Sequence, residues 1–339
     1  MGRIRKTAID RSGMGGVTKI FDPNAKESNC SVNEIMTDDS IDAVFICTPN
    51  NYNFSLTMQA LKNSKHVFCE KPPALTVEEV LQIQKLEAKS GMKLMYGLNH
   101  RHHGSIKKMK SMIDSQNYGK VLWMRGRYGK SVDESFYNDW RSKKETAGGG
   151  ILMDQGIHMV DLLLHLGGQF DEYKALISSL YWKLDVEDNA FVIMRNNETG
   201  VVASLHSTMT QWRHLFSLEV FLEKGYFVLN GLKTSSGTYG QEILTVAKNR
   251  SQAPAATWKD EEKISFPIDD SWDSEVSHFL ESISSNTEIL LGSSYDALRV
   301  MEALESIYAS DPHIQAGKAG REDQKAFVAN RRKGNENNI

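Results

Sequence analysis

The sequence predicts an α/β chain. A doubly wound parallel sheet comes first, followed by an α+β part built on a large, mostly antiparallel open sheet. Three observations point there. Short apolar runs alternate with helical patterns between residues 17 and 96. From about 172 to 248, strand-like segments alternate polar and apolar residues and are separated by turn signals. A length of 339 residues with 40% hydrophobic content suits two cores better than one.

The elements follow in order. Residues 17–21 read as a strand ended by Asp22-Pro23-Asn24, and 43–47 as a fully buried strand ended by Thr48-Pro49-Asn50. Residues 66–69 and 93–96 are the third and fourth strands, with helices at about 52–63 and 77–90. Ligands bind such sheets beyond the carboxyl ends of the strands. Asp22, Thr48, Pro49, Asn50, Glu70 and Lys71 all fall there.

Next comes Leu98-Asn99-His100-Arg101-His102-His103, then a helix through about 113 and a strand over 119–128. The histidine run is not read as a metal site, since no spacing matches a ligand pattern and no Cys or acid accompanies it. Strands at 191–194, 201–205 and 218–222 are separated by Asn196-Asn197 and 223–225, and Asn230-Gly231 marks a further turn. Trp212, Arg213 and His214 lie between two strands, where Trp212 either reaches substrate or packs the sheet. Two helices at about 271–285 and 293–309 precede a polar tail expected to be mobile. The domains are thus read as 1–98 and 99–315, with the tail at 316–339.

Composition removes several function classes. A net charge of −3 without a basic block gives no sign of a nucleic-acid partner. No apolar run is long enough to span a bilayer. The basic Arg3, Arg5 and Lys6 are followed by no apolar signal core, so a secretory signal is not expected. Cys30, Cys47 and Cys69 are too few and too scattered for a disulfide framework or a metal site. Reduced thiols in a soluble cytoplasmic protein follow as the expectation.

The chemistry concentrates at 147–161. Gly148, Gly149 and Gly150 open what reads as a helix, in which Asp154 and His158 are four residues apart and so share a face. Asp161 follows on the same side. A carboxylate and an imidazole beside a glycine run suit proton transfer to a small substrate. The alternative is a helix start carrying a surface Asp–His pair.

Cys69-Glu70-Lys71-Pro72-Pro73 is the second informative segment. Glu70-Lys71-Pro72, followed at a distance by Gly148 to Gly150, Asp154, Gly156, His158 and Asp161, resembles the Gfo/Idh/MocA family of NAD(P)-dependent sugar oxidoreductases, from about residue 2 to about 310. The resemblance implies a Rossmann-like dinucleotide domain whose Glu-Lys-Pro turn faces the glycine-rich helix of the second domain. Gly2 then aligns with the second glycine of the G-x-G-x-x-G fingerprint and Arg5 with the third. A first strand and first glycine are missing from the sequence as written. The sheet is expected to be N-terminally incomplete and cofactor binding much weakened, through either an incomplete gene product or a natural variant.

On the cofactor side the resemblance places Gly2, Arg3, Ile4, Asp22, Thr48, Pro49, Asn50, Glu70, Lys71, Pro72, Asn99, Trp140 and Arg141. Asp22, 20 residues after Gly2, would bond an adenosine ribose and favour NAD over NADP, though a plain turn residue before Pro23 reads equally well. Trp140 and Arg141 match a Trp-Arg element at the nicotinamide, with loop packing as the alternative for Trp140. Arg101, Tyr128 and Trp212 join Lys71, Asp154 and His158 on the substrate side. The outer face of the open sheet is expected to form a homodimer or homotetramer.

The expected function is hydride transfer between nicotinamide and a secondary alcohol of a sugar, polyol or nucleotide sugar. His158 would be the base, Lys71 would stabilise the reacting oxygen, and Asp154 would orient the imidazole or contact the hydroxyl. Alternatives are a glycosidase or epimerase using NAD transiently, and a catalytically impaired sugar-binding homologue. A metal-dependent hydrolase is a distant third, since no ligand set is visible.

Overall fold

A computed structural model gives the structure of the protein and describes residues 1–312; the tail at 316–339 lies outside the described residues. Helices α1 (Gly2–Ser12) and α2 (Val32–Thr37) precede a parallel sheet of β1 (Ala43–Ile46), β2 (His66–Glu70) and β3 (Leu94–Gly97), in that order. Val44 lies opposite Val67, and Val67 opposite Leu94. Parallel pairing requires crossovers, here α3 (Asn50–Lys62) and α4 (Val77–Ser90). Thr76 caps α4 by accepting from the Glu79 N–H, and Gly91 closes it in the left-handed region.

Residues 17–21 are a correction, because the structure forms no strand there. Asn29 N–H donates to the Ile20 carbonyl, and Ile20 N–H donates to the Asn29 side chain. A β-rich local pattern makes a strand only where a neighbour offers a ladder, and among the described residues none does.

The helix α1 instead packs through Ala8 and Ile9 on Val276, beside Phe45 and Leu280. Arg5 fixes it there. Its guanidinium is 1% exposed, donates from Nε to Glu70 at 2.7 Å and from Nη1 to Glu275 at 2.5 Å, and lies over Phe68 and Trp272.

The second sheet has eight strands in the order β11-β10-β9-β8-β4-β7-β6-β5. They are β4 (Val121–Ser131), β5 (Glu172–Ser178), β6 (Asn189–Arg195), β7 (Val202–Thr208), β8 (Thr210–Leu222), β9 (Gly225–Asn230), β10 (Glu242–Lys248) and β11 (Glu262–Phe266). Neighbours are antiparallel except for β4 and β7. The edge strand β11 extends the sheet beyond the region read as strands. Along β6, Ala190, Val192 and Met194 point inward while Phe191, Ile193 and Arg195 point outward. The inner side packs α5 (Gly104–Asp114), α7 (Ile157–Gly167) and α9 (Ser294–Ser310). The single turn α6 (Lys144–Ala147) leads into the glycine run, and α8 (Ser271–Ser284) returns to α1.

Between the sheets, a 3-10 turn at Asn99–His102 holds Arg101, which is 4% exposed. Its fork grips Asp161 of α7 at 2.6–3.1 Å, and Nη1 lies 2.9 Å from Asp296 of α9. Removing one partner of a buried ion cluster strands the other charges. Arg5→Met is therefore expected to lower stability by about 3–5 kcal/mol in urea unfolding. Arg3→Met, which breaks only the exposed Arg3–Glu27 pair, should leave it nearly unchanged. Equal losses in the two variants would contradict the clamp.

Candidate active site

The carboxyl end of β2 turns sharply at Glu70-Lys71-Pro72, where the Lys71–Pro72 peptide is cis. Asn53 of α3 ties this turn down by donating to the carbonyls of Glu70 and Pro72. Lys71 then reaches across to the glycine-rich segment. Its ammonium bonds the main-chain carbonyl of Asp154 and lies 3.3 Å from Asp154 Oδ1.

The glycine run has a steric reason. A Cβ on Gly150 would sit 1.9 Å from the Glu187 carbonyl oxygen, to which Ile151 N–H donates at 3.0 Å. Such close approach leaves room for glycine alone. Glu187 also accepts from Leu152 N–H. Beyond this anchor, Leu152–Gly156 forms a π-helical turn before α7 begins at Ile157.

The expected pairing of Asp154 with His158 is a correction, because the two side chains meet different partners. Asp154 faces three cations: Lys71 at 3.3 Å, Lys130 at 3.3 Å and Arg141 at 3.5 Å. His158 stacks on His100 with ring centroids 4.0 Å apart, and its Nδ1 is buried without a hydrogen-bond partner. Asp154 therefore does not orient the imidazole through a hydrogen bond.

The electrostatics separate the two groups. Burial pushes the Asp154 carboxyl up, but Lys71, Lys130 and Arg141 outweigh it and hold it well below the usual carboxylate range. Burial, followed by the charge of Lys71, holds His158 well below the ordinary imidazole value. His100 is depressed likewise, by burial and then by His158. Near neutral pH the site thus combines an ionised carboxylate with two neutral imidazoles. His100 is fixed from behind by the Tyr128 hydroxyl at 3.0 Å and Asn99 Oδ1 at 3.1 Å. Tyr239 stands edge-on to Tyr128 and donates to Gln155.

Other residues singled out in the sequence fall as follows. Arg101 and Asp161 are engaged with each other in the core. Asn99 donates to Ser271. Trp140 carries the Arg141 guanidinium 4.3 Å above its ring. Pro49 immediately precedes α3, Thr48 bonds Asn53, and Asn50 donates to the Ala147 carbonyl, joining α3 to the glycine-rich segment. Trp212, Arg213 and His214 lie within β8 and not between strands, and Trp212, with φ of 58°, turns its side chain out against Tyr181, largely exposed. Lys130, Gln155 and Tyr239 were not singled out, and a lysine in an alternating strand carries no signal by which to find it.

The residues expected on the cofactor side near the N-terminus are placed as follows. Gly2, Arg3 and Ile4 form the first turn of α1, and a Cβ on Gly2 would meet nothing within 4 Å. Asp22 is exposed, with Oδ1 accepting from Asn24 N–H. Arg5 departs from the pattern, because its side chain fills the space above Glu70 and Gly97 at the strand ends.

Comparison with known proteins agrees with this architecture. Residues 17–98 match the oxidoreductase family with NAD-binding Rossmann fold, and residues 106–228 match the GFO/IDH/MocA C-terminal domain. A levoglucosan dehydrogenase of Pseudarthrobacter phenanthrenivorans is 31% identical over 147 residues, a stretch spanning 43% of this chain and 38% of that protein. A 1,5-anhydro-D-fructose reductase of Ensifer adhaerens is 28% identical over 75% of this chain and 78% of its own length. The solved structure of a levoglucosan dehydrogenase in complex with NADH and levoglucosan shares the fold, with a TM-score of 0.80 and 22% identity over 93% of this chain and 95% of that one. No helix among the described residues is long and apolar enough to cross a membrane. With a parallel sheet ending in Glu-Lys-Pro, an open sheet carrying the glycine-rich helix, and matches to both domains, the chain belongs to the Gfo/Idh/MocA family of oxidoreductases.

Proposed function

We propose that this protein transfers hydride between the nicotinamide of NAD and a secondary alcohol of a sugar, polyol or nucleotide sugar. The observation that carries the reading is Lys71, delivered from the end of β2 onto Asp154 and adding to the depression of the neutral His158. When bound, NAD supplies the hydride acceptor. Gly2, Arg3, Ile4, Asp22, Thr48, Pro49, Asn50, Glu70, Pro72, Asn99, Trp140 and Arg141 would hold it, and the Asp22 carboxylate would repel a 2′-phosphate.

The chain's own residues manage the proton. Neutral His158 takes the hydroxyl proton as the carbon loses hydride, leaving a carbonyl. Lys71 donates to the reacting oxygen and stabilises its developing charge. Asp154 holds Lys71 in place. Residues 1–98 would form the cofactor domain and 99–315 the substrate domain. Outward-facing Leu176, Phe191 and Ile193, each more than half exposed, support a homodimer or homotetramer through the open sheet. Three free cysteines suit a cytoplasmic location.

The test is NADH formation with a panel of sugars, polyols and nucleotide sugars. His158→Ala should lower kcat by about 10²–10⁴-fold with NAD affinity nearly unchanged, and Lys71→Ala by about 10²–10³-fold. Retained turnover in either variant would refute the assigned role. Binding of NAD and sugar with no turnover by the unaltered protein would favour the impaired homologue.

The pH profile is a separate check. A base with its pKa below the ordinary histidine value of about 6.5 stays active below that pH. The acid limb of kcat/KM assigned to His158 should therefore lie under about pH 6.5; a limb at or above it would contradict the buried, neutral imidazole.

A further inference from the structure

Lys130 is the feature that the reaction does not require. It lies near the end of β4, and its ammonium sits 3.3 Å from Asp154 Oδ2, while Lys71 approaches Oδ1 of the same carboxylate at the same distance. Arg141 adds a third cation at 3.5 Å from Oδ1 and is shared with Asp139 at 3.4 Å. Lys71, Lys130 and Arg141 set against Asp154 and Asp139 leave one positive charge in excess. One close cation is enough to keep a carboxylate ionised. A second lysine held largely out of water is costly unless its charge is fully balanced.

Its setting is a built one. The Lys130 side chain is 20% exposed, its ammonium lies 5.4 Å from the centroid of the Phe136 ring, and Asp154 Oδ2 uses one of its three donors. Lys130 belongs to the second sheet, whereas the fingerprint turn of α1 and the ends of β1 to β3 belong to the first. Arg141 lies between the two, stacked on Trp140.

We propose that the substrate carries an anionic group, a carboxylate or a phosphate, received by Lys130 with help from Arg141. The inference rests on the dehydrogenase reading of the same site and narrows its substrate class to acidic or phosphorylated sugars. The shared chemistry, an oxyanion on paired cations, could also come from the pyrophosphate of the dinucleotide, and competition separates the two.

The experiment is titration calorimetry of the full chain with D-glucose, D-glucuronate, D-glucose 6-phosphate and inorganic phosphate, with and without saturating NADH. The expected result is that an anionic probe binds at least about tenfold more tightly than glucose, the worth of one charge-assisted hydrogen bond, and more weakly as salt rises. Lys130→Gln should remove most of that preference and Lys130→Arg should keep it, each variant being checked for an unchanged melting temperature. Should Lys130→Gln fail to fold, the preference and salt dependence of the unaltered protein decide. Equal affinity for charged and neutral probes, or no binding of any anion at millimolar concentration, overturns the proposal. So does loss of anion binding once NADH is added, which would assign the cations to the cofactor. Because the readout is binding, a failure of turnover with every sugar would count against the dehydrogenase reading and leave this result standing.

Discussion

Arg101 holds the architecture together. It stands on the short turn between the two sheets, and its planar fork grips Asp161 of α7 while its remaining nitrogen meets Asp296 of α9. A buried guanidinium tolerates low dielectric only when its donors are matched, and a forked cation facing a carboxylate does this well. With α7 and α9 locked to the inter-sheet turn, the π turn and His158 are set at a fixed position relative to Lys71. The site is thus placed by a charge cluster that need not touch substrate.

Within that frame, Asp154 and His158 are kept apart chemically by their surroundings. Asp154 is half-buried and flanked by cations, and remains ionised, while His158 is buried away from water and remains neutral. This divergence is what a proton-transfer site needs: one group fixed in charge and another free to change it. His100 contributes by filling one face of the His158 ring and by being neutral itself, so the stack carries no like-charge repulsion.

Much of this was legible in the sequence. The three strands of the first sheet were readable as apolar runs too short for helices, and the alternation in β6 and β7 showed one buried face. The run at 17–21 had the same local look but no partner, a fact that its own residues do not encode. β11 escaped notice because Glu262 and Lys263 hide an edge strand behind charge. The glycine run was visible, while the π turn was not, since its anchor is the Glu187 backbone on a distant segment. Lys71, Asp154 and His158 could be named from motif and spacing. Their actual partners, Lys130 and His100, depend on how two sheets meet.

The buried contact of Arg5 with Glu275 also sets an order in time. The two residues are 270 positions apart. At a synthesis rate of roughly 5–20 residues per second, Glu275 is made roughly 14–54 s after Arg5. Phe279, whose ring packs on Phe45 and Phe68, arrives equally late. The first sheet is therefore made before the helix that completes it, and until α8 is made its apolar face and its arginine have no native cover. A ribosome that stalls before α8 would release a chain whose first sheet lacks that cover, and this is where a demand for chaperones would fall.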